Sequence, residues 1–280
     1  MSLDRLPTGM GLTAAPVLLN RVIAPDHFLT RLKAPQVARR ARPGQFLHLI
    51  CPPAADAFPQ PMLRRPFSIF DADTRSGTVD FIYKRVGIGT EALARVRRGD
   101  RLDLLAPLGL PFDPPAPGRE AILVGGGVGI PPLYFLAKAL KAAGIAVRVV
   151  LGARKKGWVI CVSDFRKLGV PVQVATDDGS MGHRGSVVEL AAAALKRRED
   201  RSGIQLFICG PTPMMAAAAR FARREGVPAQ VSLEERMGCG LGVCWGCCVE
   251  VTTEPKGTHA RFQRVCTEGP VFPAEAVSWR

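Results

Sequence analysis

Up to about residue 110, the chain shows short runs of alternating hydrophobic and polar residues, or of β-branched and aromatic residues, separated by turn-forming pairs. Such runs predict β-strands, and their spacing predicts a small antiparallel barrel or sandwich. The predicted strands cover residues 27–33, 45–50, 65–70, 78–84 and 101–105. One short helix is predicted over residues 91–97.

This pattern is interrupted between Leu110 and Gly118, where four prolines fall within seven positions. Proline fixes φ and lacks a backbone N–H, so regular structure is excluded here. The segment predicts a boundary between a first domain, residues 1–110, and a second domain that begins at residue 119.

From residue 119 to residue 233, apolar runs alternate with helical patterns. The predicted strands cover residues 121–124, 146–151, 172–176, 205–209 and 229–233, with a helix between each pair. Ser186 and Glu189 predict a capping box for one helix, which is expected to end in the basic residues 196–198. Thr212 and Pro213 predict the cap and first turn of another helix. This alternation predicts a doubly wound parallel α/β sheet.

The last predicted domain, residues 234–280, is short and glycine-rich and holds five of the eight cysteines. Its cysteines follow the spacing C-x4-C-x2-C at Cys239, Cys244 and Cys247, and Cys266 follows after 18 residues. This is the spacing of plant-type [2Fe–2S] ligands. Nearby glycines allow the tight turns that would bring thiolates and backbone N–H groups around such a cluster.

Two other interpretations of these cysteines stay open at this point. Zinc sites usually contain paired C-x2-C knuckles, of which the chain has only one, and buried free thiols need no ligand at all. Cys248 is separated from Cys244 by three residues and directly follows Cys247, outside the expected spacing, and is predicted not to be a ligand.

Two loops in the predicted sheet are candidates for a nucleotide site. Residues 125–132 follow a buried strand and open a helix, so Gly127 and Gly129 could let a pyrophosphate approach the backbone. Cys209 and Gly210 occupy another strand-to-helix junction, and the carboxyl ends of parallel strands line a common crevice. Both loops are therefore predicted to face the same ligand.

A third candidate set lies in the predicted barrel. It combines basic side chains, a hydroxyl and a Gly-Thr loop, which together could bind a phosphate-bearing ligand. Its motifs are residues 64–68, Tyr83 with Lys84, and residues 87–90. The four histidines show no ligand spacing and are interpreted as ordinary surface or core residues, and no catalytic dyad is predicted.

The chain has 280 residues, 47% of them hydrophobic, with 38 basic and 24 acidic side chains and a net charge of +14. That charge could suggest nucleic acid, but no nucleic-acid-binding motif accompanies it, and residues 231–280 carry a net charge of −1. No apolar stretch is long enough to cross a bilayer, and no signal peptide is evident. A cytoplasmic protein that binds neither membrane nor nucleic acid is expected, and there cysteines seldom form structural disulfides.

In chain order these motifs resemble a known family. Residues 43–46, 65–68 and 87–90 resemble the flavin module of the ferredoxin–NADP reductase superfamily, and residues 125–132 and 209–211 resemble its nicotinamide module. Residues 232–240, with the downstream cysteines, are similar to the electron-transfer subunits of class 1B dihydroorotate dehydrogenase. The likeness runs from about Ala15 to Val277.

The resemblance implies an α+β multidomain protein with an FAD-binding antiparallel β-barrel, an NAD-binding doubly wound sheet and a [2Fe–2S] module. It implies a partner, an FMN-containing catalytic subunit in a heterotetramer, whose electrons pass through the cluster and FAD to NAD+. The residues implied to contact FAD are Arg65, Pro66, Phe67, Ser68, Ile82, Tyr83, Lys84, Gly89 and Thr90. The implied cluster ligands are Cys239, Cys244, Cys247 and Cys266.

Two matters stay open at the level of sequence. The basic run Arg154-Lys155-Lys156 follows the second strand of the predicted sheet, where basic side chains could accept the 2′-phosphate of NADP instead of the free ribose of NAD. A related NAD(P)H-dependent iron–sulfur flavoprotein reductase that serves ferredoxin, a sulfur species or a hydrogenase is the alternative function.

Overall fold

The computed structural model describes residues 10–52, 62–196, 201, 203–252 and 261–279. Its N-terminal part is a closed antiparallel barrel with the strand order β1-β2-β5-β4-β3-β6. The strands are β1 (Gly11–Ala24), β2 (His27–Lys33), β3 (Phe46–Leu49), β4 (Arg65–Asp73), β5 (Thr78–Lys84) and β6 (Arg101–Leu108). The barrel is the first of the two predicted alternatives, and all five predicted strands are present.

Two elements of the barrel were missed and one was misplaced. The first strand, β1, pairs with β6 through residues 11–16 and with β2 through residues 17–24, so no single alternation runs along it. Helix α1 (Pro35–Arg40) has only two buried side chains, Val37 and Ala38, and shows too little apolar periodicity to be recognised. Helix α2 (Ile88–Ala94) begins three residues before the predicted start, because Thr90 caps the turn from inside the helix.

The second part is a parallel sheet with helices on both faces, as predicted. Its strands are β7 (Glu120–Gly126), β8 (Val147–Ala153), β9 (Val172–Thr176), β10 (His183–Arg184), β11 (Ile204–Cys209) and β12 (Ala229–Ser232). Its helices are α3 (Ile130–Ala142), α4 (Val162–Lys167), α5 (Val187–Lys196) and α6 (Thr212–Arg224). Alternate residues of each strand face opposite sides: Ile122 and Val124 pack with α5 and α6, whereas Ala121 and Leu123 pack with α3 and α4.

Helix termini confirm one capping prediction and correct another. Ser186 and Glu189 form the predicted capping box, with backbone N–H to side-chain oxygen distances of 3.1 and 3.2 Å. Thr212 is not a cap: Pro211 occupies that position, Thr212 is the first helical residue, and no side chain caps the helix. The predicted end of α5 at residues 197 and 198 lies outside the described residues.

The C-terminal part contains β13 (Cys248–Glu250) and β14 (Phe262–Arg264), which pair antiparallel, and β15 (Val271–Pro273). Strand β15 pairs antiparallel with β12, which extends the larger sheet to the order β10-β9-β8-β7-β11-β12-β15. The residues after 233 therefore do not stand apart from the sheet, because one of their strands covers its edge.

The barrel and the sheet are joined through β4 and α3. The rings of Phe70 and Tyr134 stack with centroids 4.4 Å apart, and Lys138 donates to Asp71 at 2.7 Å. A second join involves the outward face of β3, where Phe46 belongs to the same buried cluster as Cys247 and Cys266. No helix within the described ranges has both the length and the apolar character needed to span a membrane.

Candidate functional site

A cavity of about 1090 Å³ opens where the barrel, the sheet and the C-terminal part meet. This volume is slightly above the range of about 300–1000 Å³ that is usual for small-molecule sites. All nine residues implied to contact FAD line it: Arg65, Pro66, Phe67, Ser68, Ile82, Tyr83, Lys84, Gly89 and Thr90. The structure thus brings three separate barrel motifs around one space.

The side chains of this barrel wall have different tasks. Arg65 donates to the carbonyls of Leu63 at 2.7 Å and Arg64 at 3.2 Å, which anchors its guanidinium at the cavity. Tyr83 is 2% exposed and stacks on Phe28, so it supports the wall from within the barrel, and burial raises the pKa of its phenol. Only Arg65 of these two therefore offers the cavity a charged group that can meet an anion.

The loop before α2 is shaped by one hydroxyl. Thr90 Oγ1 accepts the backbone N–H groups of Val86 at 2.9 Å and Gly87 at 3.1 Å, and it donates to the carbonyl of Gly87 at 2.9 Å. These bonds close the turn and leave a Cβ-free face at Gly87, with no atom within 4 Å of an added Cβ. The turn can therefore lie close to a ligand in the cavity.

The two glycine loops of the sheet touch each other directly. A Cβ on Gly129 would lie 2.4 Å from the backbone nitrogen of Gly210 and 2.5 Å from the carbonyl carbon of Cys209. Gly129 therefore serves the packing of one loop on the other, whereas Gly127, with φ +55° and no neighbour within 4 Å, has an open face. The predicted convergence of the loops is present, but their cavity-lining residues are Val128 and Thr212.

Cys209 lies at the end of β11 and is fully buried. Its thiol is within 3.4 Å of the carbonyl of Ser232, and burial raises its pKa well above the ordinary thiol value. The side chain thus behaves as a small buried hydrophobe. Because the Cys209 side chain is buried and Gly210 has none, these two residues could contact a ligand only through their backbone.

Sequence reasoning missed the third wall of the cavity. It comes from the segment after β12 and includes Leu233, Glu234, Glu235, Arg236 and Met237. Solvent reaches Glu234 through the cavity, yet protein surrounds the side chain, and burial raises its pKa to about 7. The sequence did contain a signal for this wall, because the carboxyl ends of parallel strands lie at the same edge of a sheet. The end of β12 therefore lies beside the ends of β7 and β11.

The basic run after β8 lies on the surface. Arg154, Lys155 and Lys156 are exposed, and the backbone N–H of Lys156 donates to Ser180 Oγ at 2.7 Å. The ammonium groups of Lys155 and the barrel residue Lys84 lie 5.2 and 4.3 Å from the ring centroid of Trp158. Trp158 thus joins the barrel wall to this basic surface through cation–π contacts.

The cysteine loop has the geometry that its glycines predict. Gly240 and Gly242 adopt φ values of +70° and +78°. The backbone N–H groups of Leu241 and Cys244 donate to the sulfur of Cys239 at 3.3 and 3.4 Å. Although burial opposes it, donation from these N–H groups lowers the pKa of the Cys239 thiol to about 7, which favours the thiolate needed for metal binding.

The four cysteines associate as two pairs. Cys239 lies beside Cys244, and Cys247 shares a hydrogen bond with Cys266, which lowers the pKa of Cys247 and raises that of Cys266. Among the described residues, no three His, Cys, Asp or Glu side chains gather to hold a single metal ion. Two pairs fit a [2Fe–2S] group better than a zinc ion, because each of its irons takes two of four thiolates.

The remaining cysteine of this part is Cys248, the first residue of β13. It is half-buried, and burial raises the pKa of its thiol, which disfavours the thiolate. All eight cysteines lie in described segments, and none forms a disulfide.

Two family models match parts of the chain. Residues 234–278 match the iron–sulfur cluster binding domain of dihydroorotate dehydrogenase B, and residues 123–220 match the oxidoreductase NAD-binding domain. Among solved structures, a chain of the NADH-dependent reduced ferredoxin–NADP oxidoreductase, studied for flavin-based electron bifurcation, is 33% identical with a TM-score of 0.81. That likeness covers 96% of this chain and 91% of the other.

Curated relatives are similar over nearly their whole length. The electron transfer subunit of dihydroorotate dehydrogenase B (NAD(+)) from Desulforamulus reducens is 40% identical over 95% of this chain and 97% of the relative. The same subunit from Geobacillus thermodenitrificans is 40% identical over 93% of this chain and 96% of the relative. The chain therefore belongs to the family of electron transfer subunits of NAD(+)-dependent dihydroorotate dehydrogenase B.

Proposed function

We propose that the chain carries FAD and one [2Fe–2S] cluster and transfers electrons from the FMN of a dihydroorotate-oxidising partner to NAD+ in pyrimidine biosynthesis. The observation that carries this proposal is a shared cavity, whose walls come from the barrel, the nucleotide loops and the segment that leads into Cys239. A flavin exchanges electrons singly or as a hydride pair, so it belongs between a one-electron cluster and a nicotinamide. The three walls bring the three binding regions to one place.

The roles of the side chains follow from their positions. We assign FAD to the barrel wall, with Arg65 meeting a phosphate and the Gly89–Thr90 turn lying beside it. We assign NAD to the edge of the sheet formed by the loops at Gly127, Gly129, Cys209 and Gly210, which presents Val128 and Thr212 to the flavin side. In this arrangement the chain binds and orients its cofactors, and no side chain is assigned as an acid or base.

The three regions are proposed as an FAD-binding domain over residues 1–110, an NAD-binding domain over 119–233 and an iron–sulfur module over 234–280. The parallel sheet supports the second, and the pairing of the cysteines supports Cys239, Cys244, Cys247 and Cys266 as ligands in the third. The pairing of β15 with β12 within one sheet supports docking of the third region on the second.

The partner is proposed to meet the iron–sulfur module. Val243 and Trp245, which are 67% and 49% exposed, place two apolar side chains on the surface of the cysteine loop. Arg264 lies 4.7 Å from the Trp245 ring centroid and is itself held by Glu268. Aromatic and arginine side chains are enriched at protein interfaces, and here the largely buried Arg264 supports the exposed ring of Trp245. A heterotetramer of two such chains and two catalytic subunits, working in the cytoplasm, is the assembly we propose.

The proposed function is tested by reconstitution. Dihydroorotate-dependent reduction of NAD+, followed at 340 nm, is expected only when this chain and an FMN-containing dihydroorotate dehydrogenase subunit are mixed. NADP+ in place of NAD+ tests whether the exposed basic run at Arg154 accepts a 2′-phosphate. Activity with ferredoxin or a sulfur species, without binding of the catalytic subunit, would instead support the alternative reductase.

The FAD assignment is tested at Arg65. The Arg65→Gln variant is expected to weaken FAD binding at least tenfold, because a charge-assisted hydrogen bond to a phosphate contributes about 1.5–3 kcal/mol. Fluorescence of released flavin during dilution or titration measures the affinity. Arg64→Gln is the matched control, since Arg64 is held away from the cavity wall by Asp103 at 2.8 Å. Equal FAD affinity of the two variants would contradict the assignment.

A further inference from the structure

His48, interpreted from the sequence as an ordinary surface or core histidine, has unusual surroundings in the structure. It lies in β3 and is 0% exposed. Its two ring nitrogens are the only buried side-chain nitrogen or oxygen atoms without a hydrogen-bond partner in the described ranges. An unpartnered buried polar group is costly, so its retention calls for a physical reason.

The ring faces the cysteine loop. Leu47 and Leu49 point into the barrel core, and the strand alternation therefore directs His48 outward, toward the side covered by the C-terminal part. A Cβ on Gly240 would lie 2.5 Å from His48 Nδ1 and 3.1 Å from its Cε1. The imidazole is thus in direct contact with the turn that follows Cys239, and only glycine fits opposite it.

The other side of His48 belongs to the flavin region. In the strand ladder His48 is paired with Pro66, which lines the cavity. The backbone groups that act on the ring are those of Arg64 and Cys239, although neither reaches hydrogen-bond geometry. One buried side chain therefore lies between the wall of the cavity and the backbone of a proposed cluster ligand.

The turn supported by His48 is the one that directs two N–H groups at the Cys239 sulfur. Those N–H groups come from Leu241 and Cys244, and they lie 3.3 and 3.4 Å from the sulfur. Hydrogen bonds to cluster sulfurs raise the reduction potential, because they stabilise the more negative reduced state. A residue that supports this turn therefore also affects the reduction potential of the cluster.

We propose that His48 is a positioning residue for the iron–sulfur group, which holds the Cys239–Gly240 turn against β3 and thereby keeps the cluster potential high enough to exchange electrons with the flavin. The proposal rests on the proposed ligand role of Cys239. It gives β3 a part in electron transfer that the cofactor-binding motifs do not reveal.

The test compares His48→Leu, His48→Phe and His48→Gln in the full chain, loaded with FAD and cluster under anaerobic conditions. The Leu and Phe variants are expected to keep FAD and iron but to show an altered EPR spectrum of the reduced cluster. Their equilibrium constant for one-electron reduction is expected to fall about tenfold, which corresponds to about 59 mV. The Gln variant keeps a polar group beside the backbone of Arg64 and Cys239, which acts on the ring in the wild type, and is expected to lie closer to the wild type.

His27→Leu is the matched control, because His27 is a buried barrel histidine whose ring nitrogen already has a partner, Pro25, at 2.7 Å. It is expected to leave the EPR spectrum unchanged. A wild-type potential and spectrum in His48→Leu would overturn the proposal, as would an equal shift in His48→Gln. If the Phe variant does not fold, the Leu variant is judged by the same criterion.

Failure of the ligand assignment would look different. Full iron content in Cys239→Ser would remove Cys239 from the ligand set, whatever the His48 variants show. Failure of the His48 proposal alone would leave Cys239→Ser without its normal cluster, while the His48→Leu protein keeps the wild-type potential.

Discussion

Replacing Cys244 with serine is expected to abolish the visible absorbance of the [2Fe–2S] group and the bound iron, while FAD stays bound. Cys244 is exposed, so its thiol contributes little to packing, and its backbone N–H can still donate to Cys239. Serine is not ionised at neutral pH and is a poor substitute for a thiolate, so one iron would lose one of its two protein ligands. Iron analysis and absorbance spectra of anaerobically purified protein measure the effect.

The same variant should lose transfer from dihydroorotate to NAD+ in the reconstituted complex, because the one-electron step to the flavin would have no carrier. Cys248→Ser provides the control, since Cys248 lies in β13 outside the two cysteine pairs. Its iron content should equal that of the wild type. An intact cluster in Cys244→Ser, or a lost cluster in Cys248→Ser, would contradict the ligand set.

The second large effect is expected at Gly129. Its backbone, with φ −78° and ψ −8°, suits any residue, so the cost of alanine there is steric alone. The added Cβ would meet backbone atoms of Cys209 and Gly210 at 2.4–2.6 Å, and backbone gives way less readily than a side chain. Gly129→Ala is expected to reduce the free energy of unfolding by about 3 kcal/mol, at the upper end of overpacking costs.

The displaced loops would also move Val128 and Thr212. The rate of NADH-dependent flavin reduction is therefore expected to decrease as well. Gly127→Ala is the matched control, because an added Cβ at residue 127 would meet no neighbouring atom. Its left-handed backbone alone is expected to reduce the free energy of unfolding by about 1–2 kcal/mol. Urea denaturation of both variants measures the difference. A smaller loss in Gly129→Ala than in Gly127→Ala would show that the loops can separate freely.

Local signals explain what the sequence revealed. The cysteine spacing, the strand-to-helix glycine loops and the barrel motifs all depend on neighbours in the chain, and the structure places all nine implied FAD contacts on one cavity. What the sequence could not show depends on distant contacts. Gly129, predicted to let a pyrophosphate approach the backbone, also packs against Gly210, and His48, interpreted as an ordinary histidine, contacts Gly240. Neither contact leaves a trace in spacing or composition.

The edge-strand pairing of β15 has a consequence for how such proteins can be divided or recombined. A cut after residue 233 would remove one of the two neighbours of β12, and would leave Gln230, Val231 and Ser232 on an open edge that favours aggregation. The iron–sulfur region therefore cannot be exchanged independently of the sheet. A chimaera that exchanges it would have to carry the matching β12 along, and evolution would face the same restriction when joining this reductase to a new electron donor.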